Sequence, residues 1–127
     1  MTVPQPSTPI PILVVDDDPD IREALRDILD DAGYSVVLAF HGQMALELLG
    51  TMRPPCLVLL DWMMPVMDGA QFLHLLRENP LYDPVKVILC TASGRDVPPG
   101  AQGLLRKPFE LEELLAVVAA SCDGRPA

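Results

Sequence analysis

Apolar positions in this chain form short unbroken runs separated by stretches with a helical repeat, and the two patterns alternate from residue 12 onward. Ile12-Leu13-Val14-Val15 is apolar throughout and partly β-branched, as expected of a strand covered on both faces. Asp18 follows as an N-cap, with Pro19 at the first helical position. Ile21, Ala24, Leu25, Ile28, Leu29 and Ala32 then recur at i, i+3, i+4, i+7, i+8 and i+11, one helical face that Gly33 closes. Tyr34 to Phe40 reads as a second strand, and Met44 to Leu49 as a short helix ended by Gly50. Leu57 to Leu60 is a third strand, Gly69 to Glu78 a helix, and Val85 to Cys90 a fourth strand. Leu104-Leu105 makes a brief fifth strand and Leu111 to Ala120 a final helix.

Buried strands alternating with helices imply an α/β fold with a doubly wound parallel sheet. One crossover is short. Ser93 to Gly103 carries Pro98, Pro99, Gly94 and Gly100, whereas a βαβ connection needs about 10–12 residues including its helix. The fourth helix is therefore expected to be shortened or missing. Pro4, Pro6 and Pro9 mark residues 1–10 as a flexible arm, residues 11–122 form the folded domain, and residues 123–127 read as a disordered tail.

Composition narrows the function. Nine basic against eighteen acidic residues leave a net charge of −9, with only two lysines, Lys86 and Lys107. That balance argues against nucleic acid, whose phosphates call for clustered Lys and Arg. No apolar run approaches the ~20 residues of a membrane span. Three cysteines, Cys56, Cys90 and Cys122, cannot form a closed disulfide set and read as small core residues of a reduced, cytoplasmic protein. Eight of the eighteen acids lie between Asp16 and Asp31, against only Arg22 and Arg26. His41 and His74 fit no metal-ligand spacing and read as structural or exposed. Met63, Met64 and Met67 read as packing around their loop.

The chemistry gathers at strand ends. Asp16 and Asp17 follow the first strand, Asp61 ends the third, Thr91 the fourth, and Lys107 follows the fifth. Open α/β sheets keep their ligand crevice there. If the first and third strands are neighbours, three carboxylates converge, and two such charges ~4 Å apart repel by roughly 4 kcal/mol at an effective dielectric near 20. Oxygen ligands in a wet crevice favour Mg²⁺.

The segments Ile12-Leu-Val-Val-Asp-Asp-Asp18, Leu60-Asp-Trp-Met-Met-Pro-Val-Met-Asp-Gly69, Thr91-Ala92 and Lys107-Pro108-Phe109 resemble the receiver domain of two-component response regulators. The resemblance implies a five-stranded flavodoxin-like sheet of order 2-1-3-4-5. It makes Asp61 the phospho-acceptor, Asp17 a direct Mg²⁺ ligand, Asp16 a ligand through water, and Met63 a ligand through its main-chain carbonyl. It gives Thr91 and Lys107 contacts with the phosphoryl group and a cis peptide to Lys107-Pro108. The implied partners are a histidine kinase or histidine phosphotransfer protein, met by the first helix, and a downstream protein.

Leu104 stands where the family usually carries an aromatic switch residue. With the fourth helix lacking as well, phosphorylation is not expected to drive dimerisation through the usual face. Partners should instead use Asp20, Ile21, Ala24, Leu25 and the loops around the pocket. Two other functions compete with a stand-alone receiver: a phosphorylation-independent interaction module, and a phosphohydrolase of the haloacid dehalogenase type. The Asp16-Asp17-Asp18 run formally contains the latter's Asp-x-Asp, but Pro19-Asp20 lacks its Thr or Val and no cap domain fits.

Overall fold

The computed structural model describes residues 10–92 and 96–122. The expected arm and tail, apart from Ile10, lie outside those residues, as do Ser93 and Gly94. Five parallel strands, β1 (Ile12–Val15), β2 (Val36–Ala39), β3 (Leu57–Asp61), β4 (Lys86–Thr91) and β5 (Gly103–Arg106), form one sheet in the order 2-1-3-4-5. Four helices accompany them: α1 (Pro19–Asp31), α2 (Gly42–Leu49), α3 (Gly69–Arg77) and α4 (Leu111–Cys122). The flavodoxin-like fold read from the sequence is the fold observed.

Alternation along the strands builds two cores. Leu13, Val15, Val58, Leu60, Val87 and Leu89 pack with Ala45, Leu49, Phe72 and Leu76 of α2 and α3. Ile12, Val14, Leu57, Leu59 and Ile88 point the other way, onto Leu25 and Leu29 of α1 and Leu114 and Val118 of α4. With both faces covered, no position of β1 or β3 tolerates a polar residue until the strand ends, and there Asp16 and Asp61 begin.

The helix starts are locally specified. Asp18 accepts from the Asp20 amide at 2.9 Å, with Pro19 at the first position of α1. Asp68 and Gln71 make a reciprocal capping box on α3. His41, which matched no ligand pattern, caps α2 by accepting from the Met44 amide through Nδ1 at 3.2 Å.

Among the described residues no helix joins β4 to β5. Arg77, at the end of α3, fastens this stretch instead. Its Nε donates to the Gly100 carbonyl at 2.9 Å, Nη1 to Tyr82 at 2.7 Å and Nη2 to Val85 at 2.7 Å. Nη2 also reaches Gln102 Oε1 at 3.3 Å, and that oxygen accepts from the Val87 amide at 2.7 Å. One planar guanidinium thus ties α3, the start of β4 and the approach to β5 together. Ala101 and Leu104 then lean on the core shared with α2 and α3.

The cysteine expectation needs correction. Cys56 and Cys122 form a disulfide across 66 residues, with Cα atoms 5.2 Å apart, and Cys90 remains a buried free thiol. An odd count forbids complete pairing but permits one pair. The residue before β3 and the last turn of α4 meet at the sheet end opposite the acidic crevice, where the sequence alone gives no sign of contact. The pairing also removes the cysteine argument for a reduced compartment.

Replacing Arg77 leaves several carbonyl acceptors without their donors, so Arg77→Ala should lose about 2–3 kcal/mol in urea unfolding. The exposed Arg26→Ala should change by under about 0.5 kcal/mol. Equal effects of the two substitutions would contradict the fastening role.

Candidate functional site

Sheet register brings the polar strand ends to one place. Val15 pairs with Leu60, so Asp16 stands beside Asp61; Asp61 pairs with Cys90, one residue before Thr91; and Thr91 pairs with Arg106, one before Lys107. The Lys107 amide donates to the Thr91 carbonyl at 2.9 Å, and the Lys107-Pro108 peptide is cis, as expected.

Lys107 Nζ lies 2.9 Å from Asp16 Oδ2 and 3.7 Å from Asp61 Oδ1. Asp16, 2% exposed, uses its other oxygen to accept from the Asp18 amide at 2.9 Å. Asp61, 8% exposed, accepts from the Met63 amide at 3.4 Å. Asp17 is solvent-exposed, yet one oxygen from each of Asp16, Asp17 and Asp61 falls within a 4.8 Å cluster. Five of the six sequence-selected residues, Asp16, Asp17, Asp61, Thr91 and Lys107, therefore lie at one crevice. The sixth, Met63, begins the loop leaving Asp61; its side chain is 73% exposed and does not pack, whereas Met64 is buried and Met67 leans on the core.

That loop must turn back sharply over the end of β3. The Met67 amide donates to the Pro65 carbonyl at 2.7 Å around Val66, whose φ of 71° is unusual for a β-branched residue. Gly69 closes the loop: a Cβ there would lie 2.8 Å from Trp62 Cε3 and 2.9 Å from the Asp61 carbonyl oxygen. The glycine after Asp68 is therefore a steric requirement for holding the loop against Asp61.

One ammonium faces three carboxylates, and protonation equilibria reflect the deficit. Burial, then the Asp16 charge, pushes the Asp61 carboxyl from 3.8 up to about 6, against the pull of Lys107. For Lys107, burial favours the neutral amine, but the hydrogen bond and charge of Asp16, with Asp61, outweigh it and hold the ammonium above its usual range. Cys90, beneath the crevice, is pushed up to about 12 by burial and is inert as a nucleophile. An all-oxygen cluster still short of positive charge suits a hard divalent cation.

Two features beside the crevice escaped the sequence reading. Arg22 counted there only as one of two cations against eight acids, yet its Nη1 donates to the Asp16 carbonyl at 2.9 Å. Ile21, Ala24, Leu25 and Ile28 of α1 face Pro108 and Phe109 across an apolar groove of about 420 Å³ that opens beside Lys107. The amphipathic repeat marked the α1 residues; their facing the Lys107 loop depends on tertiary packing.

The raised Asp61 pKa has a stability consequence. Between about 6 and 3.8 the folded protein holds a proton that the unfolded chain has released, so this group's contribution falls as pH rises through that window. Above it, the ionised Asp61 opposes folding. In metal-free buffer Asp61→Asn should therefore raise the melting temperature at pH 7.5, with a gain that shrinks towards pH 4. A variant melting at or below the wild type at pH 7.5 would contradict the electrostatic account.

Comparison with known proteins agrees with this geometry. The family model for the response regulator receiver domain matches residues 12–119. The response regulator MprA of Mycolicibacterium vanbaalenii is 44% identical over 120 residues, covering 88% of this chain and 50% of that protein. The chain thus spans about half the length of the curated relatives it matches. The chemotaxis protein CheY4 of Vibrio cholerae superposes with a TM-score of 0.80 at 31% identity, over 90% of this chain and 99% of that one. The receiver domain of the sensor histidine kinase PA1611 from Pseudomonas aeruginosa, with a magnesium ion coordinated in its active-site cleft, gives 0.83 at 25% identity, over 91% and 99%. With strand order, crevice and sequence in agreement, this chain belongs to the response regulator receiver domain family.

Proposed function

We propose that this domain accepts a phosphoryl group on Asp61 from the phosphohistidine of a histidine kinase or histidine phosphotransfer protein, and signals through protein contacts. The observation that carries this reading is the Asp61 carboxylate at a strand end, with Lys107 Nζ 3.7 Å away and Asp16 and Asp17 within one 4.8 Å cluster. An Asp61 oxygen attacks phosphorus, the phosphorus–nitrogen bond breaks, and imidazole leaves with that electron pair. Asp61 needs no general base, because a carboxylate with a pKa of about 6 is mostly ionised at pH 7. Lys107 moves its charge towards the phosphoryl oxygens, and Thr91 donates its hydroxyl to one of them. Asp16, Asp17, Asp61 and the Met63 main-chain carbonyl are the candidate ligands of Mg²⁺, consistent with the ion in the PA1611 receiver. When bound, it offsets repulsion between the carboxylates and the incoming phosphate.

The apolar α1 groove and its acidic surroundings favour docking of the phosphate donor there. We place the domain in the cytoplasm with its phosphohistidine donor and without membrane contact, and its net charge of −9 disfavours contact with nucleic acid. Among the described residues no helix is long and apolar enough to cross a membrane. A phosphorylation-independent module remains the second reading, favoured by Leu104, which packs into the core without a hydroxyl, and by the lack of a helix between β4 and β5 among the described residues. Family membership removes the haloacid dehalogenase alternative.

Acetyl phosphate or phosphoramidate with Mg²⁺ should label the wild type on Asp61 alone, detected by mass spectrometry, and leave Asp61→Asn unlabelled. Label retained in the variant would overturn the assignment, and an unlabelled wild type would favour the second reading. Light scattering with a beryllofluoride phosphate mimic should show no mimic-induced dimer; a dimer protecting residues 104–118 from amide exchange would overturn the proposed output surface.

A further inference from the structure

We infer that Arg22, held over the ring of Phe40, is a positioning residue for the divalent-cation site, fixing the peptide that joins Asp16 to Asp17. This rests on the reading of Asp16, Asp17 and Asp61 as cation ligands. Arg22 lies one turn into α1, and its Nη1 donates to the Asp16 carbonyl at 2.9 Å, while its guanidinium carbon sits 4.1 Å from the centroid of Phe40. Phe40 directly follows β2, so the contact joins the loops leaving two adjacent strands.

The hydrogen bonds around Asp16 show what this contact adds. Its amide donates to the Ala39 carbonyl, and its carboxylate is divided between the Asp18 amide and Lys107. Those bonds settle Asp16 itself. Asp17 is less firmly held: it lies in the bend between β1 and α1, solvent-exposed, with its side chain in hydrogen-bond reach of Asp61, and that reach follows the rotation of the peptide before it. The carbonyl that Arg22 holds belongs to that peptide. Releasing it frees the Asp17 carboxylate to turn away from Asp61. Phe40, half-exposed and otherwise unexplained on the surface, keeps the guanidinium in place by a cation–π contact. A guanidinium suits this task because its planar fork can donate along an edge while its face covers a ring.

Charge and positioning predict opposite signs. As a bare charge, Arg22 repels a cation, and its removal should tighten binding. As a positioning residue, its removal should weaken binding, on the order of 10-fold, as for other groups that orient ligands from outside the metal shell. Mg²⁺ alone is titrated into metal-free full chain, followed by fluorescence of the single tryptophan, Trp62, and by calorimetry. Arg22→Gln and Phe40→Ala should each raise the dissociation constant, and the double variant should be no weaker than Arg22→Gln alone. Arg22→Lys, which keeps the charge and one donor, should fall between wild type and Arg22→Gln. Titration well below the melting temperature separates this effect from a merely stabilising contact, which lowers the melting temperature but leaves the dissociation constant unchanged. Arg22→Gln affinity equal to or tighter than wild type, or additive losses in the double variant, would overturn the inference alone. A wild type that binds no Mg²⁺ would overturn the reading of the site and this inference with it.

Discussion

A single ammonium between two buried carboxylates is the constraint around which this molecule is arranged. Asp16 is almost wholly removed from water, and leaving it unpaired there would cost several kcal/mol. Lys107 supplies the pairing from 91 residues away in sequence, so the ion pair closes only when β1 and β5 occupy their places on either side of the intervening strands. The same ammonium lies too far from Asp61 to satisfy it fully, at 3.7 Å rather than 2.9 Å. Asp61 is thereby left undercompensated in a fold that has already stabilised its neighbour. The acidic cluster is thus short of positive charge, and the proposed phosphoryl transfer and cation binding both rest on that shortage.

The sheet makes such an arrangement possible because its strands are apolar on both faces and become polar only at their carboxyl ends. No crossover helix is needed for this geometry. Between β4 and β5 the Pro98-Pro99-Gly100 stretch is held by the Arg77 guanidinium, and the register of Thr91 against Arg106 brings Lys107 to the crevice. The acidic crevice is therefore assembled although no helix joins β4 to β5 among the described residues.

Legibility in the sequence follows how local each determinant is. Strands β1 and β3 were plain because complete burial makes them uninterrupted apolar runs, and α1 because its cap and repeat lie in contiguous residues. Strand ends shifted by a residue or two: β2 is shorter than Tyr34 to Phe40, and β3 and β4 run on to Asp61 and Thr91, since ladder pairing with neighbours sets those limits. The site residues could be named because strand-end placement has a chemical meaning, and the family resemblance supplied their individual roles. What escaped was tertiary. The Cys56–Cys122 pair joins elements 66 residues apart, while the Arg77 fastening and the Arg22–Phe40 contact bridge separate elements, and none has a local pattern. His41 as a cap was missed for the opposite reason: histidine is an infrequent choice there, so its spacing from Met44 carried little weight.

Asp61 is electrostatically undercompensated, and carboxyl carbon NMR of that one residue across pH tests this most directly. In metal-free protein the Asp61 signal should titrate near 6, and saturating Mg²⁺ should lower the midpoint well below that value. A midpoint near 3.8 that Mg²⁺ leaves unmoved would contradict the account.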